Sequence, residues 1–336
     1  MIRGLVLASM LVLAAGCGDD ESPSDPPSHD AATQDDAATQ DALRDAVGTF
    51  SIELVAEVPA TDDSNATPAL TSIVGRVYSA AVPNRTEWIV VDEEAGCRLL
   101  KPRAPFCNPL CASGETCAMD DTCIAAPTPL DVGTVTLHGL QANDGPTELS
   151  LTPLAPSNTY QPRGSSTLAY PPFDEDGTVT LTAEGGELAP FELRTPAIEP
   201  LETSLPPTVT VGGDTPTLLT WTPPTTSGSR IIITVDISHH GGQTGELTCE
   251  GEDDGELELP SALVDGLIEL GVAGFPDLKL TRQASSEPLP DAPGLSLIAF
   301  STVTLAVEIP GFVSCDPEEE NSCPDGQICQ QNHLCD

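Results

Sequence analysis

Short runs in which apolar and polar residues alternate recur along this chain from residue 48 onward. TFSIELV (Thr49–Val55) and STVTLAVEI (Ser301–Ile309) have the two-residue period of strands that bury one face. SRIIITVDIS (Ser229–Ser238) is largely apolar, as in a strand at the centre of a sheet. Glycine, proline, asparagine and aspartate stand between the runs and favour turns. The pattern predicts an all-β fold with a β-sandwich-like body.

One short segment has the period of a helix instead. Leu263, Leu267 and Leu270 recur at helical spacing and would lie on one face. Ser261 precedes them in a position to cap the helix, and Gly271 follows as a stop. We expect this helix to cover one edge or end of a sheet.

The composition agrees with short strands and limits the possible partners. The 336 residues include 33 prolines and 28 glycines, more than long helices tolerate. Acidic residues number 52 and basic residues 12, a net charge of −40. Binding to nucleic acid needs clustered lysine or arginine, so no nucleic-acid partner is expected. The charge favours solubility outside the cell, and calcium binding by acidic turns is the alternative.

The N-terminus has the layout of an export signal. In MIRGLVLASMLVLAAGC, Arg3 precedes an apolar run (Leu5–Leu13) that is too short to span a bilayer. The ending Ala15-Gly16-Cys17 resembles the lipobox of bacterial lipoproteins, although Ala14 stands where that family most often has leucine. The resemblance implies a signal peptide over 1–16 and a lipid on Cys17. It also implies export and attachment to a bacterial membrane, at the outer membrane or cell surface; ordinary secretion is the alternative.

Residues 17–47 form an acidic, repetitive segment. The run DAATQD occurs twice in succession, at Asp30–Asp35 and Asp36–Asp41, and almost nothing in the segment is apolar. Such a composition predicts disorder. We interpret the segment as a lipidated tether that lifts the folded part off the membrane; an acidic interaction tail is the alternative.

Eight of the eleven cysteines fall into two copies of one pattern. CNPLCASGETCAMDDTC (107–123) and CDPEEENSCPDGQICQQNHLC share Cys-x2-Gly-x2-Cys-x5-Cys, and only the first gap differs. Each copy is too small for a hydrophobic core. Neither contains the Cys-x2-Cys pair typical of zinc or redox sites, so disulfides are favoured over metal. The result is two small disulfide-stapled knots, 107–123 and 313–336.

Four cysteines allow three pairings in each knot. We favour the interlaced arrangement because adjacent partners would constrain the knot less. Cys97 and Cys249 are then left to bond with each other; the competing possibility is that Cys97 joins the first knot. The disulfides predicted in this way are Cys107–Cys117, Cys111–Cys123, Cys315–Cys329, Cys323–Cys335 and Cys97–Cys249.

Two resemblances follow from these features. The cysteine spacing resembles fragments of EGF-like knots and the Cys-rich repeats of myxobacterial-type surface lipoproteins, which implies an extracellular module without chemistry. TLLTWTPPTTSGSRIIITVDI, within 205–310, resembles a fibronectin type III or immunoglobulin-like module. The remaining chain divides into an N-terminal β segment (48–106) and two β-sandwich parts (124–204 and 205–312).

The candidate metal ligands lie in two turns. DISHHGG offers Asp236, His239 and His240, and the acidic turn DEDG offers Asp174 and Asp176. A third acidic turn, Gly251–Gly255, has calcium as a further alternative, although none of the turns has the spacing of an EF-hand. No cofactor is predicted beyond this possible calcium.

No nucleophile elbow or phosphate-binding loop is present. Trp88 and Trp221 lie within strand-like runs and are expected in the core. The sequence therefore favours a non-catalytic structural or binding protein with an unknown protein or polysaccharide ligand. A carbohydrate-binding or calcium-dependent module, or an unrecognised hydrolase, is the alternative.

Overall fold

A computed structural model describes most of the chain from Val47 to the C-terminus. The described residues are 47–58, 66–84, 86–163, 168–173, 177–213, 216–239, 242, 244–318, 322–324 and 326–336. The signal peptide, Cys17 and nearly all of the tether lie outside them.

Strands dominate the described residues, as the alternating pattern predicts. They are β1 (Val47–Val55), β2 (Leu70–Tyr78), β3 (Glu87–Glu94), β4 (Cys97–Arg103), β5 (Glu115–Cys117), β6 (Cys123–Ala125), β7 (Val135–Ala142), β8 (Gly145–Leu151), β9 (Thr178–Ala183), β10 (Phe191–Pro196), β11 (Thr208–Thr210), β12 (Thr217–Thr220), β13 (Arg230–Asp236), β14 (Glu246–Glu252), β15 (Glu256–Leu259), β16 (Asp277–Ser285) and β17 (Leu295–Glu308). One helix among the described residues, α1 (Ser261–Leu270), lies between β15 and β16.

A nine-stranded main sheet is the frame of the molecule. Its order is β2-β1-β17-β16-β13-β14-β4-β3, and β11 pairs with the C-terminal part of β17. β1 and β11 run parallel to β17, whereas the other neighbours in the sheet are antiparallel. The strands of 48–106 and most of the strands of 205–312 therefore share one sheet, from which β12 and β15 are separate. As its apolar sequence predicts, β13 lies inside the sheet, between β16 and β14.

Two separate covers lie on the same face of the main sheet. A four-stranded sheet, β10-β9-β7-β8, covers β1, β2 and the first part of β17 and encloses the first core. The helix α1 and the two-stranded ribbon β12–β15 cover β4, β13 and β14 and enclose the second core. Alternate residues of β17 enter both cores, with Leu295 and Leu297 in the first and Leu305 and Val307 in the second. The fold is thus all-β and sandwich-like, with one long layer and two short ones.

The helix has the predicted extent but a different start. Ser261 is its first helical residue, and Pro260 holds the N-cap position without a side-chain cap bond. Ser261 is therefore not the cap that the sequence suggested. Gly271 ends the helix with φ 112°, and its N–H is bonded to the Ile268 carbonyl. Leu263 and Leu267 of the predicted apolar face are buried in the second core, together with Val264, and Leu270 packs against that core partly buried.

Candidate functional site

The described residues contain five disulfides, and they are the pairs predicted from the sequence. Each knot is interlaced, with its first cysteine bonded to its third and its second to its fourth. The bonds are Cys107–Cys117, Cys111–Cys123, Cys315–Cys329, Cys323–Cys335 and Cys97–Cys249. The close sulfur atoms in each knot are therefore bonded to one another and are not free to hold a metal.

The Cys97–Cys249 bond joins residues 152 positions apart in sequence. The two cysteines are register partners on neighbouring strands β4 and β14, and both are buried in the second core. The bond thus ties the N-terminal β segment to the sheet of residues 205–312. Cys97 does not join the first knot.

The first knot is attached to the main sheet through polar contacts. Arg103 at the end of β4 donates hydrogen bonds to Glu87 Oε2 and to the Met119 carbonyl, each at 2.6 Å. Arg103 also binds the carboxylate of Asp121 in the knot. Phe106 is 70% exposed, so apolar burial contributes little there.

The second knot is attached through an apolar contact. Leu334 is 8% exposed and belongs to the second core. The ring of His333 lies 5.7 Å from the ring of Phe275, measured between centroids. The backbone N–H of Gly274 donates to the Asn332 carbonyl at 2.7 Å. Two knots with one cysteine pattern are therefore docked by different forces.

The structure brings two of the predicted metal ligands, Asp236 and His239, together and places two further carboxyl groups beside them. His239 Nδ1 lies 3.9 Å from Asp236 Oδ2 and 3.7 Å from Asp277 Oδ2. Asp277 is the register partner of Asp236 on β16, and Glu246 is its register partner on β14. Directly opposed residues point to the same face, so three carboxylates form a row across three strands. Asp174, Asp176 and His240 lie outside the described residues.

The three carboxyl groups of this row repel one another, and burial adds to the cost of their charge. Burial raises the pKa of Glu246, and the carboxylates of Asp236 and Asp277 raise it further, while Thr248 and Lys279 lower it. Asp277 is 8% exposed, and its Oδ1 is buried without a hydrogen-bond partner among the described residues. Lys279 Nζ lies 3.8 Å from Asp277 Oδ2. One lysine therefore faces three carboxyl groups.

The acidic turn Gly251–Gly255 has a structural role. Asp253 accepts hydrogen bonds from Arg282 Nε at 2.6 Å and from Trp221 Nε1 at 2.7 Å. Ser229 Oγ donates to the same carboxylate at 2.7 Å. Both oxygens of Asp253 are occupied within the protein, which argues against the calcium alternative for this turn.

Arg282 explains why a charged network is buried there. On β16, Leu280 faces the second core and Ala284 faces the first, so Arg282 between them lies at the junction. Its side chain is 1% exposed, and its guanidinium also donates to the carbonyls of Pro200 and Thr222. Arg282 is not among the residues predicted from the sequence; a lone arginine at an inward position of an alternating strand is the signal that points to it.

The two tryptophans differ in environment. Trp221 is 5% exposed in the second core, as expected. Trp88 was also expected in the core, but it is only half-buried because β3 is the last strand of the main sheet.

Sequence comparison with known proteins does not place this chain in a family. No family model matches the chain, and no curated protein is significantly similar to it. The resemblances to lipoproteins and to fibronectin type III or immunoglobulin-like modules stay predictions. Within the described residues, no helix has the length and apolar character needed to cross a bilayer.

Proposed function

We propose that this protein is an exported, lipid-anchored surface protein with a non-catalytic structural or binding role in adhesion or recognition. The observation that carries the proposal is the use of its cysteines. Five disulfides consume ten of the eleven, and the one that remains is Cys17 at the lipobox-like sequence. Disulfides persist in oxidising compartments outside the cytoplasm. Lipidation of Cys17 would account for the one cysteine that is left without a disulfide partner.

Two further observations support a display role. The net charge of −40 disfavours direct adsorption to anionic lipid, so a covalent anchor would have to supply membrane attachment. Both knots expose apolar side chains, with Leu110 84% and Ile328 71% exposed. Small stapled modules that present apolar groups to solvent suit contact with another macromolecule.

The test of the anchor is metabolic labelling with an alkyne fatty acid in a bacterial host. The wild-type chain is expected to take up the label and to sediment with membranes. Cys17→Ser is expected to lose both properties, while Ser22→Ala, a nearby control, keeps them. Undiminished labelling of Cys17→Ser would remove the anchor from the proposal.

A second candidate function is a calcium-dependent module, and the row of carboxylates favours it. Asp277 Oδ1 is buried without a partner among the described residues, beside Asp236 and Glu246. Leaving a buried carboxylate oxygen unsatisfied is costly, and a bound cation would relieve both this cost and the mutual repulsion. Carboxylate oxygens are the ligands that calcium prefers.

Thermal unfolding with and without millimolar calcium tests this candidate. Calcium is expected to raise the melting temperature of the wild type, and Asp277→Asn is expected to remove the shift. Asp254→Asn, at an exposed aspartate in another turn, is the control that keeps it. A wild-type melting temperature that calcium leaves unchanged would reject the candidate.

A further inference from the structure

The two edges of the main sheet differ in whether other parts of the chain form backbone hydrogen bonds to them. The outer edge of β2 is covered by backbone hydrogen bonds. Gly75 and Tyr160 exchange N–H···O bonds of 2.8 and 2.9 Å, and Leu130 N donates to the Val77 carbonyl at 2.8 Å. No backbone hydrogen bond from a described residue reaches the outer edge of β3 at the other end.

The open edge carries apolar side chains in solvent. Ile89 is 45% exposed, Val90 46% and Val91 53%, next to half-buried Trp88. Val91 has no register partner on β4, so a bulge divides the strand after Val90. Exposed hydrophobic edge strands are templates for pairing with another chain, and proteins usually protect them with charges, bulges or covers. Here the apolar run has a bulge, and its flanking charges on β3 are all negative.

The charges next to the apolar run select the partner. Asp92, Glu93 and Glu94 follow it on the same strand and are exposed. At the turn after β3, Glu93 and Glu94 line an open depression of about 520 Å³. Arg98 and Glu250 also line it, and Glu250 is paired with Arg230 at 2.8 Å between Oε1 and Nη1. This arrangement would accept the lysine or arginine side chain of a strand laid along β3.

We propose that β3 is a docking edge for an extended segment of another protein in which apolar residues alternate with lysine or arginine. The segment adds to the main sheet as a further strand. Backbone hydrogen bonds to the open edge supply affinity, and the apolar and acidic side chains of β3 supply selectivity. The inference deepens the binding role proposed above by naming its surface and partner, but its test does not depend on the lipid anchor.

Charge disfavours the acidic segment of this chain and a second copy in the register centred on Val90. A second copy paired antiparallel about Val90 would set Glu93 of each copy opposite Glu87 of the other, and opposed like charges destabilise a strand pair. The acidic segment 17–47 of this chain has the same sign as Asp92, Glu93 and Glu94. A cationic strand matches the charges of the edge better than either of these arrangements does.

Fluorescence anisotropy tests the proposal with the whole chain and its disulfides intact. The probe is a fluorescein-labelled ten-residue peptide of alternating lysine and valine. Two comparison peptides are alternating glutamate and valine, and the lysine–valine peptide N-methylated at every residue, which removes its backbone donors. We expect saturable binding of the first probe alone. Equal binding of either comparison peptide would overturn the proposal.

Matched variants locate the contact. The double substitution Val90→Lys/Val91→Lys is expected to weaken binding of the lysine–valine probe by about tenfold or more. Leu218→Lys, at a position 50% exposed on the separate ribbon, is the control and should bind as the wild type does. Unchanged affinity of the double variant would overturn the assignment to β3. A chain that fails to bind the probe and elutes as a dimer, which the double variant converts to a monomer, would show that a second copy occupies the edge.

Discussion

The two halves of the main sheet are stabilised by different means. The half under the four-stranded sheet has a sheet-on-sheet core that includes Phe50, Tyr160 and Phe191, with ring centroids 5.6 and 6.5 Å from that of Phe50. Among the described residues, no disulfide lies inside this core. The half under α1 and the ribbon contains the Cys97–Cys249 bond, and both knots adjoin it through Arg103 and Leu334.

The covers of the two halves are built differently, although each core contains 24 buried apolar residues among those described. Four strands of six to eight residues bury a broad apolar face, and that burial is the main source of stability there. The other cover is a ten-residue helix with two four-residue strands. Covalent bonds and a buried ion pair supplement the second core. We therefore expect the two halves to respond differently to the same kinds of change.

The largest effect is expected from removing the long-range disulfide. Cys97→Ser/Cys249→Ser opens a loop of 152 residues, which the chain-entropy model values at about 5 kcal/mol. Denaturant unfolding measures the loss. Hydrogen exchange should show faster exchange in β4 and β14, with protection of β7 and β9 retained. Equal loss of protection in both halves would contradict the comparison.

The next effect is expected at the junction of the two cores. Arg282→Leu leaves Asp253 buried without its cation, at a cost of about 3–5 kcal/mol. Arg230→Leu is the matched control, because the Arg230–Glu250 pair is exposed at 50% and 42% and should contribute no more than about 1 kcal/mol. Urea unfolding of the two variants compares them. Similar losses in both would mean that the buried network does not hold the halves together.

The third prediction separates two contributions to stability: packing of the second knot against the second core, and the disulfides within the knot. Leu334→Ala removes a side chain from the second core and should cost about 2–4 kcal/mol. Ile328→Ala in the same knot, at a 71% exposed position, should change stability by less than about 0.5 kcal/mol. Thermal unfolding of the oxidised proteins measures both. If the two variants melt alike, packing of Leu334 into the second core does not hold the knot in place.

The smallest effect is expected in the row of carboxylates. Because the folded-state pKa of Glu246 is raised, folding favours its protonated form, and stability is lost as pH rises through that pKa. Glu246→Gln should therefore raise stability at pH 7 by less than about 1 kcal/mol and have little effect at pH 3.5. Glu258→Gln, an exposed control on β15, should show no such pH dependence. Melting temperatures of the wild type and both variants at pH 3.5 and pH 7 test this expectation. Destabilisation by Glu246→Gln at pH 7 would contradict it.

Local patterns in the sequence predicted a large part of the fold. The alternation in β1 and β17, the apolar run of β13 and the helical spacing before Gly271 each lie within one element, where the period of the backbone decides which residues face inward. The cysteine spacing likewise restricted each knot to three pairings. Less of the candidate site could be predicted from the sequence. Asp236 and His239 were identified, but their neighbours Asp277 and Glu246 were not.

Strand order and register were decided only by the tertiary structure. Nothing local indicates that β1 pairs in parallel with β17, nearly 250 residues away, or that β3 ends the sheet and leaves Trp88 half-buried. The carboxylate row and the Arg282–Asp253 pair also join residues from different strands. The sequence by itself determined which residues form strands, helix and knots, because backbone period and short loops act locally. Which strands meet, and what lies at the edge, depends on long-range contacts whose free energy is shared across the whole core.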